Sequence, residues 1–336
     1  MKTIFSIVLI SCWALLQGCH VGTSGTWRNG RISLEVKQKI DALNKKLFEA
    51  IVTKDPTKLK QLMSPPLLEK SGSNLDTIIT SFNNKFNATS YDVLDDYYTK
   101  NSTTNISNTV FPNRGDSNDY KIQYLALNQE MYVSLLISKN LPVNFIILAI
   151  YGKYDNGWKL NILQLGEYSI LNKTAPEYYN ESRNQYNKGN LIDAADLIIT
   201  ASEIAHPVNE YLTYQNDDEM KTFYAKALKD ANAKYQFPIT VNKVKTNPQV
   251  FGVSPQLIVN GNDEGIFPMV KYKSGIELGD TVALKVENNA IQKVIGNIFK
   301  GINNGKGYII YQAFNQIPDG KTLVKQYGFI QKLGKH

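Results

Sequence analysis

The sequence contains little cysteine, histidine or arginine. Its 336 residues include two cysteines, Cys12 and Cys19, and three histidines. Beyond Cys19 the chain has no thiol for a disulfide, a cysteine-zinc site or a cysteine nucleophile. The histidines, His20, His206 and His336, include no pair at metal-ligand spacing. We therefore expect no metal and no cofactor.

The net charge of +7 comes mainly from lysine, because only Arg28, Arg31, Arg114 and Arg183 carry guanidinium groups. Proteins that read phosphates and nucleic acids favour the planar donor fork of arginine over the point charge of lysine. No basic run and no alternation of arginine with aromatic residues is present. We therefore expect no nucleic-acid partner and interpret the charge as solvated surface, with weak attraction to anionic lipid headgroups as the alternative.

No constellation of catalytic side chains is recognisable. A Ser-His-Asp arrangement would have to use His206, which precedes Pro207 at a predicted helix end, where the helix dipole favours a cationic imidazole. We therefore assign His206 a capping role and name no catalytic residue. The run Asn260–Gly265 imitates the start of a calcium loop, but Lys271 stands where the bidentate glutamate belongs, so we interpret it as a polar turn.

The N-terminus has the features of a signal peptide, predicted over residues 1–18. A short basic start precedes the apolar stretch Ile4–Leu16, which is shorter than the roughly 20 residues that a membrane span needs. The junction Leu16-Gln17-Gly18-Cys19 resembles the lipobox of bacterial lipoproteins. That resemblance implies cleavage before Cys19 and acylation of its side chain; an ordinary secretory signal is the alternative.

The lipobox implies a place in the cell. We expect a bacterial membrane protein anchored by lipid on Cys19, in the outer membrane and facing the periplasm. Two or more acyl chains give stable anchoring without a transmembrane helix. Because Val21–Arg31 is rich in glycine, serine and threonine, residues 19–32 are predicted to be a flexible lipidated tether.

Helices come first in the body of the chain, and strands follow. Predicted helices begin after Ser33, at Asp55-Pro56 and at Leu75. Hairpin connections are expected at residues 128–130 and at Asp155-Asn156-Gly157. A bulge is expected near Ile162, where the alternation of apolar residues changes phase. The predicted strands are Tyr91–Tyr98, Tyr120–Leu127, Met131–Ser138, Phe145–Tyr154 and Trp158–Tyr168.

Residues 33–173 resemble the NTF2-like superfamily in this order of elements and in the segments Ala50–Asp55 and Asp155–Leu160. The resemblance implies a cone, in which helices pack on a bent antiparallel sheet around a cavity. Members of the superfamily use that cavity for ligands, for catalysis or for neither, so the fold does not choose a function.

Residues 174–235 are predicted to be a helical connector. The turn at Gly189-Asn190, with Ala194, Ala201 and Pro207 beyond it, resembles a single tetratricopeptide unit. One repeat cannot form a solenoid, so a helical hairpin packed on its neighbours is the favoured interpretation. Exposed apolar residues along Leu191–Ile204 would favour a protein partner, and burial there would favour a structural spacer.

Residues 236–336 are predicted to form a smaller α+β domain of no recognised family. Its predicted helix runs over Ile291–Phe299 and stops at Gly301. The predicted strands are Ile239–Val244, Leu257–Val259, Phe267–Tyr272, Thr281–Val286, Tyr308–Phe314 and Leu323–Ile330.

Two classes of function fit these features. The leading hypothesis is a lipid-anchored envelope protein with a non-enzymatic binding or assembly role, taking a small ligand in the cone or a protein partner. The alternative is an isomerase, dehydratase or hydrolase with its site in the same cavity. The candidate ligand-binding residues of the cone are Tyr124, Tyr132, Tyr151, Trp158, Asp95 and Asp96.

Overall fold

The structure is a computed structural model that describes residues 23–71, 86–259 and 264–333. In that part of the chain it is an α+β protein with seven α-helices and three sheets. The helices are α1 Leu34–Val52, α2 Pro56–Leu62, α3 Pro65–Ser71, α4 Ala175–Asn187, α5 Leu191–Glu203, α6 Asp217–Tyr235 and α7 Thr281–Ile298. The strands are β1 Thr23–Arg28, β2 Tyr91–Asn101, β3 Ile106–Val110, β4 Tyr120–Ala126, β5 Glu130–Ser138, β6 Val143–Tyr154, β7 Gly157–Ile170, β8 Leu212–Tyr214, β9 Ile239–Thr240, β10 Gln249–Ile258, β11 Gly265–Lys273, β12 Tyr308–Phe314 and β13 Gln326–Lys332.

The first sheet has the strand order β1-β2-β5-β6-β7, with every pair antiparallel. The predicted flexible tether of residues 19–32 is wrong for the described part of that range. Thr23–Arg28 forms the edge strand β1, which pairs with β2, and residues 29–31 form a single turn of 3-10 helix. Strand pairing satisfies the backbone groups of this segment, and Trp27 stacks on Tyr98 with 5.5 Å between ring centroids. These contacts outweigh the high glycine, serine and threonine content that favoured a tether.

Both faces of the first sheet are covered. Helices α1 and α2 pack on one face, where Leu47 and Leu59 are buried against Tyr132 and Tyr151. Strand β4, predicted within one continuous meander, instead forms a second sheet of order β3-β4-β8. That sheet and helices α4–α6 contribute to the core on the opposite face.

Three local signals of this part of the chain are confirmed, but the hairpin predicted at residues 128–130 is wrong, because β4 and β5 lie in different sheets. Asp55 caps α2 by accepting a hydrogen bond from the backbone nitrogen of Lys58 at 3.0 Å. Gly157 occupies the turn between β6 and β7 with a φ of 109°, which favours glycine. The bulge lies at Asn161, because Ile150 pairs with Ile162 and the next residue of β6 pairs with Leu160. The helix predicted from Leu75 lies outside the described residues, apart from Phe86.

Helices α4 and α5 form the predicted hairpin, with Gly189 at φ 78° in the turn. Ser182 Oγ donates to the carbonyl of Ala194 at 2.6 Å, so a small residue at position 194 lets the helices approach closely. Along 191–204 only Ser202 and Glu203 are exposed, and every apolar residue is buried or half-buried. This burial favours the spacer interpretation of the connector.

The third sheet has the order β13-β12-β11-β10-β9, with β11 and β12 parallel and joined through α7. The strand predicted at Thr281–Val286 is wrong, because these residues open α7. Asp280 caps this helix by accepting from the backbone nitrogen of Ala283 at 2.9 Å, and Leu284 and Ile291 are buried along one face. Capping and one-sided burial outweigh the preference of valine and threonine for strands. No helix among the described residues is long and apolar enough to cross a membrane.

Candidate functional site

The two adjacent carboxylates of β2 do not share a cavity. Asp95 and Asp96 point to opposite faces of the first sheet, because successive strand side chains alternate. Both are buried, with exposures of 1% and 0%. Asp95 and Asp96, named above as candidate ligand-binding residues of one cone, therefore belong to separate networks.

Asp95 is held by two arginines that lie far apart in sequence. Arg28 Nη2 lies 2.8 Å from Asp95 Oδ1, and Arg114 Nη2 contacts Asp95 Oδ2. Tyr120 Oη donates to Oδ2 at 2.5 Å and Asn29 Nδ2 donates to Oδ1 at 2.9 Å. All of the acceptor capacity of the carboxylate is directed at the protein itself. Asp95 is therefore structural, joining β1, β2 and β4.

Asp96 anchors a second network beneath α1. Lys37 Nζ lies 2.7 Å from Asp96 Oδ2, and Ser134 Oγ donates to Oδ1 at 2.8 Å. Asn44 Nδ2 donates to the same Ser134 oxygen at 2.9 Å, and Tyr151 Oη donates to Asn44 Oδ1 at 2.9 Å. Burial raises the pKa of Tyr151 well above its ordinary value, so its hydroxyl stays protonated. This chain of bonds pins the helix to the sheet.

The candidate tyrosines are interior residues. Tyr132 and Tyr151 have 0% exposure and pack between the first sheet and α1. Tyr124 lies in the second sheet, on the opposite side, where its hydroxyl donates to Thr99 Oγ1 at 3.3 Å and accepts from Asn108. Side chains therefore fill the space in which a ligand was expected. Of the six candidate residues, Trp158 lines an open pocket.

That pocket, which we call the N-terminal pocket, has a volume of about 450 Å³ and lies between β1, β2, α1 and the β6–β7 hairpin. Its aromatic part consists of Trp27, Tyr98 and Trp158. Tyr98 stacks on Trp27 and meets Trp158 edge-on, with 6.2 Å between centroids. Trp27 is exposed and the other two rings are buried. The rim consists of Arg31, Ser33, Glu35, Val36, Lys39, Lys100, Glu130 and Lys153.

The charges of the N-terminal pocket favour an anion. Lys39 pairs with Glu35 at 2.7 Å, and Lys153 pairs with Glu130 at 2.7 Å. Arg31 and Lys100 are exposed and have no ion-pair partner within the described part of the chain. Lys100 Nζ lies 5.8 Å from the centre of the Tyr98 ring. Lys100 lies opposite Glu130 across β2 and β5, so that carboxylate, already paired with Lys153, compensates it only in part. The cations of the pocket therefore outnumber its carboxylates beside an exposed indole.

A glycine shapes this surface. A Cβ at Gly25 would lie 2.6 Å from the Trp27 ring, so the indole lies directly over the strand at Gly25. Any larger residue there would displace the ring. The absence of a side chain at this position thus lets the Trp27 ring pack against the strand.

A smaller polar cleft of about 320 Å³ separates the α4–α5 hairpin from the C-terminal sheet. Lys306 Nζ donates to Asp193 Oδ1 at 2.5 Å. Burial raises the pKa of Asp193 and of Asp196, and the Lys306 ammonium opposes both shifts. The ion pair between Lys306 and Asp193 thus connects the α4–α5 hairpin to the C-terminal domain across this cleft. Among the described residues no group of three or more histidine, aspartate or glutamate side chains could hold a metal ion.

Sequence reasoning missed most of the N-terminal pocket, since Trp27 and Arg31 were assigned to the tether and Lys100 to solvated surface. A signal was available, because a tryptophan is an unusual residue for a segment that is otherwise small and polar. The predicted calcium-like turn Asn260–Gly265 lies largely outside the described residues. No protein-family model matches this chain, and a search of curated proteins finds no match.

Proposed function

We propose that this protein is a bacterial lipoprotein, anchored through lipid on Cys19, with a non-enzymatic binding role in the cell envelope. The lipobox supports the anchor, and the position that we propose for the anchored protein is the outer membrane, facing the periplasm. The order of helices and strands in residues 33–173, with α1 and α2 packed on an antiparallel sheet, supports an NTF2-like first domain. The helical hairpin and the C-terminal sheet complete its body.

The N-terminal pocket carries the binding role. It combines the exposed indole of Trp27 with an excess of cations over carboxylates, including Arg31 and Lys100, which form no direct ion pair among the described residues. The ligand class that fits is therefore an anion with an apolar or ring portion. The carboxylates Asp95 and Asp96, in contrast, are buried and occupied by arginine, lysine and hydroxyl groups. They are arranged to hold strands and a helix together rather than to exchange protons with a substrate.

The anchor is tested in cells grown with labelled palmitate. We expect wild type to incorporate the label, to yield a mature chain that begins at Cys19 and to fractionate with the outer membrane. Cys19→Ala should lose the label completely. The matched control, Cys12→Ala, changes the other cysteine and should keep it, because that residue lies in the leader. An unmodified Cys19 in a chain that retains its leader, or a cytosolic protein, contradicts the anchor.

The pocket is tested with anilinonaphthalene sulfonate, an anionic ring compound that fluoresces when bound. Trp27→Ala removes the exposed ring, and Arg31→Gln with Lys100→Gln removes two of the pocket cations. Both variants should weaken saturable dye binding about tenfold or more, since each removes one half of the recognition. Lys245→Gln with Lys285→Gln removes the same charge from exposed positions of the C-terminal domain and should leave binding unchanged. Equal binding by all of these proteins contradicts a ligand site at the pocket.

A further inference from the structure

We propose that the N-terminal pocket and its rim dock onto the anionic phospholipid surface of the membrane that holds the anchor. This inference rests on the proposed function, because the lipid on Cys19 is what brings this surface close to the bilayer. A membrane surface is the partner that fits, because β1 begins only four residues after the lipidated Cys19.

The reach of the chain restricts the body of the protein to the bilayer surface. Strand β1 begins at Thr23, so residues 20–22 alone separate it from Cys19. Even fully extended, the four steps from Cys19 to Thr23 span about 14 Å. Gly25, over which the Trp27 ring lies, is about 7 Å further along the strand. The indole therefore lies within roughly 25 Å of the lipidated residue.

The charge of the surface within this reach is positive. Lys100 is paired directly with Gly25 across β1 and β2, and Arg31 follows β1 by three residues. Both are exposed and without an ion-pair partner in the described residues. Phosphatidylglycerol and similar lipids carry a negative phosphate at the bilayer surface, which attracts lysine and arginine held near it. Charge complementarity thus favours the side of β1 that bears the N-terminal pocket.

The exposed ring matches the chemistry of the lipid-water boundary. Tryptophan is enriched at that depth because its ring is apolar and its N–H can hydrogen-bond. Lysine and arginine likewise place an apolar stem against acyl chains and the charge among headgroups. Trp27 lies between Arg31 and Lys100, so one docked orientation satisfies the ring and both cations. The lipid on Cys19 holds the protein at the membrane, and this surface sets its orientation there.

Trp27 itself reports the docking. After removal of the leader, which contains Trp13, the mature chain has two tryptophans, Trp27 and the buried Trp158. The lipidated protein is reconstituted into phosphatidylglycerol–phosphatidylcholine vesicles whose acyl chains carry bromine near the headgroup, a quencher of nearby indoles. The variant Trp158→Phe should be strongly quenched, and Trp27→Phe should be quenched at least threefold less.

The charge dependence is measured in the Trp158→Phe background. Phosphatidylcholine alone, or Arg31→Gln with Lys100→Gln in anionic vesicles, should reduce quenching, because each cation near an anionic surface contributes about a fivefold factor to association. Lys245→Gln with Lys285→Gln is the matched control and should change nothing. A lipidated, vesicle-bound protein whose Trp27 is unquenched overturns the docking while leaving the anchor intact.

The anchor and the docking fail separately. If mass spectrometry shows Cys19 to be unmodified, the proposed anchor is wrong, and the same unmodified protein is then sedimented with vesicles. Binding to phosphatidylglycerol vesicles that the Arg31→Gln, Lys100→Gln variant weakens by about 10-fold or more still supports the docking surface. Absence of binding, or binding that these substitutions do not change, overturns it.

Discussion

Asp95→Asn is expected to lower the free energy of unfolding by about 3 kcal/mol, because it leaves two arginines without their shared counter-charge. The carboxylate is fully buried, and both of its oxygens accept from guanidinium groups of Arg28 and Arg114. The arginine side chains retain 32% and 24% exposure, so water compensates part of the lost attraction. This places the loss at the lower end of the range for a broken buried ion pair.

Urea unfolding of Asp95→Asn and wild type measures this loss. The matched control is Asp92→Asn on the same strand, where a 67% exposed carboxylate lies 3.0 Å from Lys139. An exposed pair contributes below about 1 kcal/mol, so this control should remain close to wild type. If Asp95→Asn and Asp92→Asn unfold at the same urea concentration, Asp95 does not hold the strands together as described.

Gly166→Ala is expected to destabilise the protein by about 3 kcal/mol through a clash between two backbones. A Cβ at Gly166 in β7 would lie 1.7 Å from the carbonyl oxygen of Pro207, in the loop that follows α5. Neither partner can relieve the contact by changing a side-chain rotamer. The first sheet and the helical connector would have to move apart, which would weaken the core between them.

The control for this substitution is Gly252→Ala in β10. No heavy atom within 4 Å would meet the added Cβ there, and the backbone is not in the left-handed region. Because alanine is more favourable than glycine in a strand, that variant should match wild type or be stabilised by up to about 1 kcal/mol. Urea denaturation measures the free energy of unfolding of both variants. Equal values for Gly166→Ala and Gly252→Ala would show that the backbone at Pro207 can move away from Gly166.

The sequence alone was sufficient for features that depend on neighbouring residues. Asp55-Pro56 predicted the start of a helix, and Asp155-Asn156-Gly157 predicted a hairpin turn, because capping and positive-φ geometry involve only a few consecutive residues. The change of apolar phase near Ile162 predicted the bulge for the same reason. The strand predicted at Thr281–Val286 failed because strand propensity there is weaker than the burial of one helix face.

The candidate site depended on contacts that no local pattern contains. Asp95 and Asp96 are adjacent in sequence, but strand alternation directs them to different networks. Asp95 binds Arg28, 67 residues away, and Asp96 binds Lys37, 59 residues away. Trp27 was assigned to a flexible tether because its neighbours in sequence are rich in glycine, serine and threonine, which favour coil. Its stacking on Tyr98 exists once β1 pairs with β2.

The sequence by itself determined the scarcity of thiols and imidazoles, the α+β class, and the local turns and caps at Asp55 and Gly157. These follow from composition and from short-range periodicity. Tertiary structure alone decided that Tyr132 and Tyr151 are buried in the core, that two arginines share one buried carboxylate, and that Trp27, Arg31 and Lys100 line one pocket. Such placements depend on pairing between distant segments, because burial and charge compensation are properties of the packed chain.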